Sequence, residues 1–275
     1  MIVPSSPEVR AQFAAMTAAA DEELDLAATA LLIAAEEYPE LTPARYLAEL
    51  DRLAERVRER LAGETAPLVV LQELSRVLFR EERFRGNADA YYDPRNCFLN
   101  DVLDRRVGIP ISLSMVYLEV GWRLGLPLRG VGFPGHFLIR YEGEVVRLLL
   151  DPFENGRLRF EDEAQNLLDR VYGGLVRLQP EFLEPTGKKD MLVRLLKNLK
   201  AIYLNAGEDG KALAAVERIL LLRPAPAELR DRGMLLARAG RRAEAIADLE
   251  AYLAQVVDAP DARRVRNTIE QLARG

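Results

Sequence analysis

The chain holds one histidine, His136 in "GVGFPGHFLIRY", and one cysteine, Cys97 in "NCFLN". A lone histidine cannot belong to a histidine pair or triad. The chemistry open to it is that of a general base whose ring a carboxylate orients. The segment "VVRLLLD" supplies such a carboxylate in Asp151. If "HFLIRY" and "VVRLLLD" pair through a tight turn at Glu142-Gly143, a two-residue loop sets His136 opposite Leu149. Asp151 then lies two residues on, on the same face and within diagonal reach. A four-residue loop sets His136 directly opposite Asp151, and a one-residue bulge spoils both arrangements. An aspartate bonded to one ring nitrogen fixes the tautomer and raises the basicity of the other. The competing reading is structural: "FPGHFL" is dense in apolar groups, so a buried neutral ring bonded to Asp151 would simply pin the sheet.

The elements that must position this pair are legible in outline. "DEELDLAATALLIAAEEYPE" has helical spacing, acids in its first turn, and a stop near Tyr38-Pro39. "TPARYLAELDRLAERVRERLAG" follows, with Thr42 as N-cap, Pro43 at the first helical position and Gly63 as C-cap. "APLVVLQELSRVLFREERF" reads as a third helix. "CFLNDVLDRR" is a short helix ended by Val107-Gly108, with Cys97 on its apolar face. Pro110 then opens another helix, whose apolar stripe is Leu113, Val116, Tyr117, Val120 and Leu124. "LRGVGF", "HFLIRY" and "VVRLLLD" read as strands. Gly132, Pro134 and Gly135 shape a bend before His136, and Arg140 and Arg147 fall on the hairpin surface.

The last third repeats itself. "AGEDGKALAAVERIL" from Ala206 and "AGRRAEAIADLEAYL" from Ala239 align without gaps at a spacing of 33 residues. A helix pair of that period is the signature of a tetratricopeptide-type array. "RPAPAEL" fits the link between repeats, and "DARRVRNTIEQLA" is the capping helix such a stack needs.

Composition narrows the remaining classes. Apolar residues make up 49% and charged residues 29% of the 275, an ordinary globular mixture. The single cysteine excludes an intramolecular disulfide and a multi-cysteine zinc site, and suits a reducing cytoplasm. No metal-ligand spacing or phosphate-binding glycine loop appears, so no metal or cofactor is expected. The start of the chain lacks a basic and apolar leader, and no stretch is long enough to span a membrane. From Thr186 onward 17 basic residues face 12 acidic ones, against 21 and 31 in the remainder. Opposite signs suggest two modules, and neither is basic enough to argue for nucleic acid.

The stretch "FLNDVLDRRVGIPISLSMVYLEVGWRLGLPLRGVGFPGHFLIRY" with "LLLDPFENG" resembles the transglutaminase-like superfamily. Within it, the chain is similar to the bacterial SirB-type branch, which joins such a core to tetratricopeptide-like repeats. The resemblance puts His136 on the superfamily's histidine and Asp151 on its aspartate. Counting back from Gly125 in "RLGLPLR" puts the cysteine nucleophile at Pro110, which has no nucleophilic group. Two other residues compete for that role. Ser112 lies near the helix start, where backbone N–H groups favour developing negative charge. Cys97 lies a helix and a turn earlier, where a lone cysteine is more often a small buried hydrophobe.

The expected fold is therefore α+β over residues 1–185: a helical N-terminal layer on a small antiparallel sheet, as in transglutaminase/papain-like cores. An all-α tetratricopeptide-like array follows over residues 186–275. The expected function is binding of a protein or peptide by a degenerate transglutaminase-like protein in the cytoplasm, without a membrane or nucleic-acid partner. The alternative is a hydrolase or acyl transferase on peptide amides that uses Ser112 or Cys97 with His136 and Asp151.

Overall fold

A computed structural model of the chain describes residues 7–143 and 147–274. They form two compact units, divided between Met191 and Leu192. The first begins with helices α1 (Pro7–Thr17), α2 (Leu26–Ala34), α3 (Pro43–Leu61) and α4 (Pro67–Ser75). α2 starts later than its acidic leader suggests. The Asp25 carboxylate accepts from Ala28 N–H at 2.9 Å and caps the helix there. Asp21 is drawn elsewhere, accepting from the Lys188 and Lys189 N–H groups at 2.7 and 2.9 Å. α2 also ends at Ala34, short of Tyr38. α3 begins at Pro43 as expected, although the Thr42 side chain makes no capping bond, and Ala62 takes the left-handed C-cap before Gly63. The expected third helix is α only to Ser75, then continues as a π turn over Arg76–Glu81.

The chain next makes β1 (Arg85–Gly86), α5 (Leu99–Arg105) and β2 (Val107–Gly108), which pairs in parallel with β1. α6 (Pro110–Arg123) follows, with proline at its first turn. Sequence spacing suggests a one-sided apolar stripe, but every residue from Pro110 to Gly121 is buried. On a helix enclosed on all sides most polar groups are partnered internally. Glu119 accordingly accepts from Ala27 N–H at 3.0 Å and from Arg123 at 2.5 Å, and burial raises its carboxyl above the usual range.

Strands β3 (Leu128–Val131), β4 (Leu138–Glu142), β5 (Arg147–Asp151), β6 (Arg157–Arg159) and β7 (Pro185–Thr186) form one antiparallel sheet in the order β6-β5-β4-β3-β7. Side chains alternate between its faces. Val131, Leu138 and Leu149 join Leu167 and Leu168 of α7 (Ala164–Tyr172) in one core. Leu128 turns the other way, so close to α6 that a Cβ on Gly121 would lie 2.3 Å from its Cδ1. Arg140 does not lie on the hairpin surface: it is buried, and its guanidinium donates to Leu183 O at 2.8 Å. Arg147 is exposed. A tight turn was expected at Glu142-Gly143, but Glu142 is still in β4, opposite Arg147, and residues 144–146, with the start of "VVRLLLD", lie outside the described residues.

The division between units falls inside α8 (Lys188–Asn205). The second unit continues with α9 (Asp209–Leu222), α10 (Pro226–Arg238), α11 (Arg242–Gln255) and α12 (Ala262–Arg274). The starts and the ends of α9 and α11 both differ by the 33 residues of the sequence repeat. Gly233 of α10 meets α11 closely: a Cβ there would stand 2.8 Å from Leu249. The α11–α12 core is built from Leu249, Tyr252, Ala259 and Val265. No described helix is long and apolar enough to cross a membrane.

Candidate functional site

β4 and β5 pair with Ile139 opposite Leu150 and Glu142 opposite Arg147. This register is neither of the two expected, being shifted by two residues from the second. A shift of two conserves the face, because side chains alternate with period two. Continued past β4, it leaves His136 diagonal to Asp151. The chain reaches that point through a turn in which His136 N–H donates to Phe133 O at 3.0 Å. Gly135 takes φ +68°, and a Cβ there would lie 2.6 Å from Val171 of α7, so only glycine fits.

His136 Nε2 lies 2.9 Å from Asp151 Oδ1. Asp151 is fully buried at the end of β5, where it caps the 3-10 turn Pro152–Glu154. Its Oδ1 also accepts from Phe153 N–H at 3.1 Å and Glu154 N–H at 3.2 Å. An acceptor so placed holds the proton of the neutral ring on Nε2 and leaves the lone pair on Nδ1. Nδ1 has no hydrogen-bond partner among the described residues, and 9% of His136 stays exposed. The ring meets the Phe153 ring edge-on at 5.9 Å. Phe153 in turn meets Tyr91 at 6.5 Å, and Tyr91 meets Tyr92 at 5.4 Å. Tyr92 is 68% exposed, so an aromatic wall runs from the histidine to the surface. Phe153 fits because residue 86 is glycine: a Cβ there would lie 2.5 Å from its ring.

Neither expected nucleophile is hydrogen-bonded to the ring. Ser112 Oγ turns back to the start of α6, accepting from Ile109 N–H at 3.0 Å and donating to Asn96 O at 2.5 Å. Gly108 leaves the room, since a Cβ there would lie 2.7 Å from that oxygen. Cys97 is not on the face of α5 but ends the 3-10 turn Pro94–Asn96. It is buried, and burial pushes its thiol up, aided by the charge of Asp93. A thiol so raised is a poor source of thiolate. Pro110 occupies the first position of α6.

Three contributors escaped sequence reasoning. Asn96, fully buried, ties down the aromatic loop: its amide donates to Ala90 O at 2.8 Å and accepts from Asn87 at 3.1 Å. Arg159 and Glu154 stand behind the aspartate, with Arg159 Nε 4.0 Å from Asp151 Oδ2 and its other nitrogen bonded to Glu154. The signal for Arg159 was the alternation in "GRLRF" after a turn, which makes β6. Among the described residues no group of three or more histidine, cysteine, aspartate or glutamate side chains gathers as a metal site would require.

A sheet hairpin that pairs a histidine with an aspartate agrees with comparison to known families. The family model described as the transglutaminase-like superfamily matches residues 44–197, more than half the chain. The chain belongs to the transglutaminase-like superfamily. A tetratricopeptide repeat model matches residues 199–270. Over 237 residues this transglutaminase-like protein is 40% identical to a UPF0162 protein of Xylella fastidiosa, covering 85% of the chain and 84% of that relative. It is 31% identical over 227 residues to a UPF0162 protein of Vibrio cholerae, covering 82% and 84%. It is also 32% identical over 163 residues to human F-box only protein 21, covering 54% of the chain and 25% of that protein. No solved structure matches it.

Proposed function

We propose that this transglutaminase-like protein works by binding other proteins and carries out no acyl transfer. The observation that supports this most strongly is the fate of the nucleophile. Pro110, which the resemblance sets at the superfamily's cysteine position, opens α6 and has no nucleophilic group, Ser112 Oγ is committed to Asn96 O, and Cys97 is buried with a raised thiol. The dyad of His136 and Asp151 then serves as a polar anchor in a cleft walled by Phe153, Tyr91 and Tyr92, a surface suited to an extended peptide. Partner recruitment belongs to the repeats, taken as residues 186–275, since stacked helix pairs offer an extended groove. A single buried thiol is in keeping with a cytoplasmic protein.

One observation favours a second reading. The dyad is intact at 2.9 Å, with Nδ1 unengaged. A hydrolase or acyl transferase on peptide amides would use His136 as base, Asp151 as orienter and Ser112 or Cys97 after a local rearrangement. The deciding experiment incubates the purified chain with a glutamine-containing peptide, with and without a primary amine, and follows ammonia release and product mass. No turnover is expected. Turnover that disappears in His136→Ala and in either Ser112→Ala or Cys97→Ala would replace the binding reading with the enzymatic one.

A further inference from the structure

The polar side chains gathered with His136 have spent their hydrogen bonds inside the protein, with one exception. Asn96 donates to Ala90 O and Tyr91 O and accepts from Asn87, whose own oxygen accepts from Ala90 N–H. The Ser112 hydroxyl joins Ile109 N–H to Asn96 O. The Glu154 carboxylate, next to Phe153 in the chain, is held by Arg159 and Arg170. Asp151 Oδ1 accepts from Phe153 and Glu154 N–H as well as from the ring, so Nε2 carries the ring proton and Nδ1 the lone pair. Nδ1 is the exception: it forms no hydrogen bond among the described residues and is not sealed from solvent, although His136 is only 9% exposed. What surrounds it is largely apolar. Phe153 meets the ring, and Tyr91 and Tyr92 continue that wall. Val171 and Tyr172, both exposed at the end of α7, form a further lip on the same turn: a Cβ on Gly135 would lie 2.6 Å from Val171 and 3.3 Å from Tyr172 Oη.

We infer that this site takes a neutral, extended peptide segment that donates one backbone N–H to His136 Nδ1 and lays the adjoining apolar side chain on the rings of Phe153, Tyr91 and Tyr92. The lone pair requires a hydrogen on the atom set against it and repels the bare oxygen of a carboxylate. An ammonium group gains most from a free carboxylate, and those of Asp151 and Glu154 are already held by the protein. A peptide N–H brings the hydrogen without a charge, and apolar side chains beside it match the walls. The residue that supplies this N–H therefore cannot be proline, which has none. The peptide class rests on the binding role proposed for the dyad, whereas the lone pair on Nδ1 does not.

Random decapeptides displayed on phage, selected on the purified full chain and counter-selected on Tyr92→Ser, supply the probes. The enriched peptides are expected to share an apolar residue beside a position that excludes proline. Each N–H of the most enriched peptide is then replaced by N–CH₃ in turn. Methylation at the proline-excluding position should weaken binding about tenfold, as loss of one hydrogen bond does. The chain has one histidine, so its ¹⁵N Nδ1 resonance is unambiguous. Recorded where the ring is neutral, it should shift with the parent peptide and stay in place with that methylated form at equal occupancy. His136→Phe should bind the two forms equally. Peptides that bind but leave the Nδ1 resonance unmoved overturn the inference while the binding reading stands. A selection that yields no peptide dependent on Tyr92 overturns both. The resonance is read on the wild-type chain, so it decides even where His136→Phe does not fold.

Discussion

Ser112→Ala separates a structural serine from a nucleophile. Its hydroxyl joins Ile109 N–H to Asn96 O at 3.0 and 2.5 Å in a site where all three residues are buried. Alanine leaves a buried donor and a buried acceptor without partners. Each orphaned group costs about 1–3 kcal/mol. Relief of the hydroxyl's own desolvation offsets part of that, so we expect a net loss of about 2–4 kcal/mol. Urea unfolding followed by fluorescence reads this well, because the only tryptophan, Trp122, is on the same helix and bonded to Leu128 O at 3.0 Å. With a slope of about 2–3 kcal/mol/M, the midpoint should fall by roughly 1 M. Cys97→Ala is the control: it removes a small buried group that makes no hydrogen bond among the described residues, and should cost only about 1 kcal/mol. An unchanged Ser112→Ala midpoint, above all alongside a lost activity, would refute the structural role of the hydroxyl.

Two further outcomes follow from other parts of the molecule. Hydrogen bonds from Arg52, and then Arg106, outweigh burial and lower the Glu49 carboxyl from its ordinary 4.5 to about 2. Its stabilising contribution is therefore full above pH 4.5 and lost as pH falls towards 2. Glu49→Gln should lower the urea midpoint at neutral pH, with the gap from wild type narrowing by about pH 3, and a gap that does not narrow contradicts the assignment. In the repeats, Gly233→Val would force a side chain into space held by Leu249 at 2.8 Å and Ala245 O at 3.2 Å. Overpacking of this kind costs about 1–3 kcal/mol. Hydrogen exchange across α10 and α11 should accelerate, and unaltered protection would mean that the helices separate without cost.

Much of the architecture is written locally. Pro110 opens α6 because proline suits a first helical turn, and the 33-residue repeat reappears as the offset between α9 and α11. The sharing of a face by His136 and Asp151 was also legible, because parity in a hairpin survives a shift of two residues. The register itself was not, since it depends on where the loop begins as well as on its length. Arg140 was misread because an arginine in a strand looks solvated until Leu183 O arrives from 43 residues away.

The sequence by itself determined which side chains are available: one imidazole, one thiol, a proline at the start of a helix, and alternation that aims His136 and Asp151 to the same side. These are properties of residue type and of neighbours a few positions apart. Tertiary structure decided how each polar group is used. Ser112 stands as a candidate nucleophile near a helix start, yet its hydroxyl is spent on Asn96 O, 16 residues back in the chain. Arg159 looks like an exposed strand end, yet it lies buried beside Asp151. Most buried polar groups find their partners among whatever groups the fold brings to them, and those groups come from distant segments that no local pattern names.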